Sequence, residues 1–569
     1  MHYDLIIRNG LVVDGSGLPP YAADIGIAGG LIATIGAIDG TGIDRRATEI
    51  IEAGGQVVAP GFIDPHTHYD AQLFWDPLAT PTTWHGFTSV LMTNCGFGIA
   101  PVAVEHREYI AHLLSVVEAI PLELVRHALP WNWQSYRDYL DAIAGIPGGL
   151  GVNVMSMAPH SAIRYHVMGD EARKRPATAD EIAAMAAVVR ECLEAGAVGF
   201  SSSWGPVHFD GDGIPVPSRW ADENEITTLA RVLRSFGRGI VAFIPGSVPA
   251  VTSADMAVIA RLARESGRPT LWNVLFHTWS APDNWREVLG WTREHAVQGA
   301  RTRPLALPER FDLDFSLRSG LFGDMPAWKQ LFDLPHAEKM TQLRRTEVRA
   351  ALQADLDDPA PRIFSKRLQD IVVQNVRDER NRRWVGQSVV DVGHTLGKRA
   401  LDALIDLALD EELGTDFLIV GFLNGDQDAV GQMIADPHVL IGGSDGGAHV
   451  KFICQVSYSS HLLGHWVRDK GALTLEAAIR RLTFEPALLL GLPDRGLLRD
   501  GYAADIVIFD PQRVGAGPRE HAADLPGGGT RIVRRGEGYL ATVVNGAIVR
   551  RGDDFTGRRP GRVLYGGRG

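Results

Sequence analysis

Three cysteines in 569 residues, Cys95, Cys192 and Cys454, are too few and too odd in number for a disulfide framework. They suit a reducing compartment, so a cytoplasmic location is expected. No window offers ~18 consecutive apolar residues, which leaves no candidate membrane span. The opening "MHYDLIIRNGLVVDGSG" lacks a basic segment followed by a long apolar run, and reads as strand, turn and strand rather than as a signal peptide. Runs of five or more like charges are also missing, while 68 acidic against 56 basic residues leave a formal net charge of −12. That balance argues against a nucleic-acid partner and fits a protein that handles small molecules.

What is there resembles an ordinary globular chain, 45% hydrophobic and 22% charged. The first 58 residues alternate short β-branched runs with glycine turns, and the same texture returns in "GYAADIVIFD" (501–510) and "GYLATVVNGAIVRRG" (538–552). Residues 1–59 and 489–569 are therefore expected to form one discontinuous β domain. The middle, 60–488, alternates apolar runs with helical periodicity. Eight candidate strands fall around 60–66, 86–94, 150–157, 196–202, 238–244, 270–277, 300–305 and 438–444. Eight β/α units predict an α/β fold closed as a (β/α)8 TIM-like barrel, with the active site at the C-terminal strand ends. A long insertion, about 307–415, separates the seventh and eighth strands; a lid or an oligomer contact are its two readings.

"APGFIDPHTHYD" places His66 and His68 two residues apart at the end of the first strand. Residues i and i+2 share a strand face ~6.5–7 Å apart, so two imidazoles can converge on one ion. Alone, such a pair is weak evidence. Other strand ends add Cys95 in "MTNCGFG", His160 in "MAPHSA", His277 in "VLFHTW" and Asp445 in "GGSDGGAH". Each has a bland reading, such as a buried thiol or a turn aspartate, but their joint placement at strand C-termini points to a metal centre.

These motifs, with "GAVGFSSSW" and "LTLEAAIRRLTFEPALLLGLPDRGLLRDGYAADIVIFD", resemble the amidohydrolase superfamily, and within it the D-aminoacylase branch of N-acyl-D-amino-acid deacylases. The resemblance spans nearly the whole chain. It implies a metal-bearing (β/α)8 barrel beside a small β-sandwich built from both termini. It also implies His66, His68, Cys95, His277 and Asp445 as metal ligands, with Cys95 in the bridging place that other members give to a carboxylated lysine. Asp445 is then the general base and acid for attack of metal-activated water on a C–N amide bond, and His160 a hydrogen-bond donor to the substrate. Two departures stand out. The stretch "IVAFIPGS" (240–247) has Pro245 and no histidine after the fifth strand, so one firmly bound zinc is expected, with a second weak or absent. Trp279 follows His277 where a substrate-gripping lysine is usual, which makes Trp279, Lys451 and His449 the candidates for substrate contact. The expected partner is a small-molecule amide, with no nucleic acid and no membrane; a homo-oligomer is allowed. Rival readings are a cyclic amide, imide or lactone hydrolase on the same site, and an inactive barrel kept as an oligomeric binding scaffold.

Overall fold

The computed structural model describes residues 2–38, 47–318, 325–360, 362, 366–449 and 451–566. Both ends of the chain build one nine-stranded sheet. Its seam is the antiparallel pairing of Val57–Pro60 with Ile506–Phe509, in which Val58 faces Ile508. Period-two alternation places Leu5, Ile7, Ile25, Ile27, Ile506, Ile508 and Val543 in one buried cluster. Gly61 leads from this sheet into the next strand. A Cβ there would stand 2.2 Å from the Thr88 side chain, which is why the turn carries glycine.

Eight parallel strands follow: β1 (Phe62–Asp64), β2 (Phe87–Met92), β3 (Asn153–Ser156, resuming as Ala158–Pro159), β4 (Gly199–Ser203), β5 (Ile240–Ile244), β6 (Thr270–Leu275), β7 (Thr302–Ala306) and β8 (Leu440–Ile441). Each overlaps one of the eight stretches read from the sequence, and β3, β4 and β7 run one or two residues past theirs. They pair in order as two arcs, β1–β2–β3 and β3–β4–β5–β6–β7–β8, which share the β3 segment on either side of Met157. On the other side, Thr67 bridges Gly446 in parallel, and His68 N–H donates to the Gly446 carbonyl at 2.7 Å. Ile63, Leu91, Met155, Ala242, Leu271, Leu305 and Leu440, from seven of these strands, meet in a single buried cluster.

Helices Ala179–Ala195, Glu223–Phe236, Ser253–Ser266 and Asn284–Val297 run between successive strands. Thr178 with Glu181, and Thr252 with Asp255, close capping boxes that satisfy the first amides of two of them. The insertion has its own core. An antiparallel sheet of Phe311–Phe315, Asp416–Leu423 and Ile371–Asn375 is covered by helices such as Thr346–Asp357 and Ala400–Asp410. Trp328, Leu352, Leu404 and Phe417 fill that core. Its central strand runs past position 415 to Leu423, because "DFLIVGFL" has neighbours on both sides.

A hairpin of Gly515–Leu525 and Gly529–Glu537 reaches from the C-terminal part of the chain to this insertion. Arg519 pairs with Asp314, and Arg534 with the buried Glu309 at 3.2 Å. Ser457 Oγ donates to Glu309 at 2.7 Å. Burial nonetheless pushes the Glu309 carboxyl up to about 7 against the pull of Arg534. The folded chain therefore holds this proton through a range, ~pH 4.5–7, in which the unfolded chain has released it. Stability from this group falls as pH rises through that window. Glu309→Gln is expected to remove that slope, read as a smaller difference between melting temperatures at pH 5 and pH 8.

Candidate metal centre

The C-terminal ends of β1, β2 and β8 bring four donor atoms together. His66 Nε2 lies 3.3 Å from His68 Nε2, and Cys95 Sγ lies 3.5 and 3.8 Å from the two. Asp445 Oδ1 stands 3.1 Å from His66 Nε2 and 3.7 Å from His68 Nε2. Ligands held ~2.0–2.3 Å from a tetrahedral zinc-class ion stand ~3.3–3.8 Å apart; four of these five separations fall in that range and the fifth, His66 to Asp445 at 3.1 Å, lies just below it. Two imidazoles, a thiolate and a carboxylate are also the donor chemistry that zinc prefers. The residues fit the ion.

Local backbone geometry sets this convergence. Cys95 (φ 57°) and Asp445 (φ 49°) both adopt the left-handed region, as do Thr93 and His449 nearby. Such conformations cost non-glycine residues of order 1–3 kcal/mol and persist only where the surroundings enforce them. Gly447, at φ +95°, lets the β8 loop approach the first strand, since a Cβ there would lie 2.5 Å from the His68 carbonyl oxygen.

Electrostatics bind the group into one unit. Burial alone would depress both imidazoles, but the Cys95 and Asp445 charges overrule it and lift His66 to about 9. Glu118 and Cys95 likewise hold His68 well above its ordinary range against burial. Burial would raise Cys95 and Asp445, yet the two histidines hold both below their usual values.

Two residues not singled out from the sequence stand against the outer ring nitrogens of the two histidines. Glu118, buried at the end of helix Arg107–Val117, places Oε1 3.0 Å from His68 Nδ1. The Asn273 side-chain amide, on β6, lies 2.6 Å from His66 Nδ1. Its Oδ1 otherwise has no partner. With the amide turned so that this oxygen accepts from Nδ1–H, the His66 Nε2 lone pair is left for an ion. Neither residue has a sequence signal. Glu118 is one acid among 68, and Asn273 sits inside an apolar strand.

Other expected residues lie elsewhere. His160 is fully buried, with Nδ1 2.7 Å from Ser202 Oγ and Nε2 2.9 Å from Glu225 Oε1. Both ring nitrogens are engaged, and the structure does not bring it to the donor group. His277 is likewise apart. Its backbone N–H donates to Asn424 Oδ1 at 3.0 Å, and its ring meets the edge of Trp279 at 4.8 Å. Among the described residues, the three-ligand group of mutually close histidine, cysteine or acidic donors is His66, His68 and Cys95. Trp279 stacks under the Arg367 guanidinium, 4.3 Å from its ring centroid. His449 donates its backbone N–H to the Glu118 carbonyl, and its ring packs on Phe452. Lys451 is exposed beside it. Pro245 directly follows β5, and the stretch 240–247 holds no histidine.

A cavity of about 180 Å³ opens beside His66 and Asp445, walled by Val274, Phe276, Phe311 and Leu423. The last two come from the insertion's sheet.

Parallel strands that carry a histidine–cysteine–aspartate donor group at their C-terminal ends define an α/β metal-site protein. The model of the amidohydrolase family matches residues 49–550, and the chain belongs to that family. An uncharacterized protein of Mycobacterium tuberculosis is 32% identical, covering 98% of this chain and 93% of its own. A D-aminoacylase of Alcaligenes xylosoxydans xylosoxydans is 29% identical over 99% of this chain and 97% of its own. Among solved structures, a D-aminoacylase described by one-metal activation and second-metal attenuation of a binuclear centre superposes with a TM-score of 0.66 at 25% identity. It covers 99% of this chain and 100% of that one.

If Glu118 orients His68, Glu118→Ala should weaken zinc binding ~10–100-fold, measured by chelator competition. Glu118→Gln should recover part of that loss, and an unchanged affinity in both variants would refute the role.

Proposed function

We propose that this chain is a metal-dependent amidohydrolase that cleaves the C–N amide bond of an N-acyl amino acid. The observation that carries this is the donor group's asymmetry. His66, His68 and Cys95 are 3–7% exposed, whereas the Asp445 side chain is 27% exposed and lines the cavity beside them. Three ligands hold, and one faces a substrate.

A zinc-class ion at His66, His68, Cys95 and Asp445 would supply Lewis-acid charge and lower the pKa of a nearby water. Asp445 stays ionised because His66 and His68 hold its carboxyl far below the ordinary range. It can therefore take a proton from the attacking water and return it to the leaving amide nitrogen as the C–N bond breaks. Val274, Phe276, Phe311 and Leu423 exclude water from the apolar part of the substrate. The resemblance to D-aminoacylase over nearly the full length supports the N-acyl amino acid class.

The same reading takes a single firmly held zinc. Pro245 offers no ligand, and His277 turns toward Trp279 instead of joining the group. It also takes the two parallel arcs, joined at Met157 and at the Thr67–Gly446 bridge, as one closed (β/α)8 barrel. The terminal sheet then forms a second domain, and the insertion forms a wall of the substrate cavity. No helix among the described residues is long and apolar enough to cross a membrane.

Asp445→Asn should lower kcat on N-acyl-D-amino acids by ~10²–10⁴ with KM little changed. Activity indifferent to that change would refute the reading. Metal analysis tests the other half. Chelation should abolish hydrolysis and one equivalent of zinc per chain should restore it, whereas a requirement for two would overturn the single-ion assignment.

A further inference from the structure

The N-terminal ends of the parallel strands carry a second feature, remote from the metal centre. A cavity of about 780 Å³ opens there among the residues that begin β4 to β8. With strands rising ~3.3 Å per residue, five-residue strands put it ~17 Å from the donor group at their other ends.

Five arginines line it: Arg480, which is paired with Glu485 of the same wall, and four others, Arg238, Arg268, Arg301 and Arg303. Each guanidinium of these four is tied to the chain through neutral carbonyl oxygens. Arg238 donates to Leu193 O at 3.0 Å, Arg268 to Gly239 O at 3.0 Å, Arg301 to Gly267 O at 2.7 Å and Arg303 to Pro437 O at 2.8 Å. Among the described residues, none of the four forms an ion pair. Glu485, the carboxylate in the cavity wall, is instead taken by Arg480 and Arg481 at 3.5 and 3.2 Å. Carbonyls fix the forks in place without cancelling their charge. One or two of the five N–H groups on each arginine are used in this way.

These carbonyls lie at or just beyond the C-terminal ends of the helices that flank the strands, so each arginine also serves its neighbouring helix end. That service explains the position of each arginine. It does not explain a cavity of small-molecule size between them, nor four uncompensated cations in a chain of net charge −12. It also leaves unexplained the apolar rim, where Leu488 is 67% exposed beside Leu489 on helix Phe484–Leu490.

We propose that this cavity is a second binding site, for a small amphipathic anion whose acidic head sits among the four arginines and whose apolar body lies on Leu488 and Leu489. A carboxylate or a phosphate head supplies the same chemistry, because both accept forked guanidinium hydrogen bonds. The site stands independently of the hydrolase reading.

Calorimetric titration of the full chain with octyl phosphate, octanoate, octanol and inorganic phosphate tests it. One or both octyl anions should bind at one site per chain, the tighter one naming the head group. Octanol and inorganic phosphate should bind at least tenfold more weakly. Arg301→Gln should weaken the octyl anion at least tenfold. So should Leu488→Asp, which places a carboxylate on an already exposed position that folding does not need. Both variants should keep wild-type amide hydrolysis in the absence of the probe, and chelation of metal should leave the binding unchanged. No heat with either octyl anion, equal binding by both variants, or binding lost on chelation would overturn the site. Inorganic phosphate binding as tightly as octyl phosphate would overturn the amphipathic class.

Discussion

Two buried imidazoles that share Cys95 on one side and the partly exposed Asp445 on the other constrain everything else in this molecule. A thiolate and a carboxylate buried beside two imidazoles are tolerable only if positive charge sits among them. Without an ion, that charge must be protons on His66 and His68, which is why both imidazoles are held above their ordinary range and Cys95 and Asp445 below theirs. A divalent ion of the right size replaces both protons at once. The donor chemistry and the separations thus describe the same object from two directions.

Holding the donors there requires a scaffold that does not relax. Thr93, Cys95, Asp445 and His449 all sit at positive φ, and their combined cost of several kcal/mol is offset by the strands beneath them. Leu271, Leu305, Met155 and Leu91 are essentially inaccessible, so the strand ends move only if that packed cluster moves. The Thr67–Gly446 bridge then places the donor residues of the first and last strands against each other. Glu118 and Asn273 stand against one imidazole's remaining nitrogen each, and both rings present Nε2 to the same point.

Much of this was legible in the residues. The eight strands announce themselves as short apolar runs between helical stretches, and His66, His68, Cys95 and Asp445 are metal-competent side chains at the ends of three of them. What the residues did not show is where His277, read as ending the sixth strand, turns its ring. In β6, Leu271 and Asn273 face inward, and His277 shares their parity. The strand stops at Leu275, however, and the backbone of His277 is captured by Asn424, so parity no longer says where its ring points. His160 lies apart for another reason. The buried Glu225 needs donors, and Arg164 and His160, the latter at the first turn of its helix, supply them. Local patterns cannot show a carboxylate 65 residues away. Glu118 and Asn273 were invisible for the same reason, since their meaning lies wholly in what they touch.

The donor group and the cavity beside it are built by different parts of the chain. The insertion's sheet ends at Leu423, and the next residue, Asn424, donates to the Leu307 carbonyl while its Oδ1 receives the His277 N–H. One side chain thereby joins the insertion to the ends of both β6 and β7. Phe311 and Leu423, the residues that bracket this junction, are also walls of the cavity beside Asp445. The donor group sits on strand ends packed on the buried cluster beneath them, whereas two walls of the cavity come from the insertion's sheet, which Asn424 ties to the ends of β6 and β7. Changes within that sheet can reshape the cavity without moving His66, His68, Cys95 or Asp445, because none of the four rests on it.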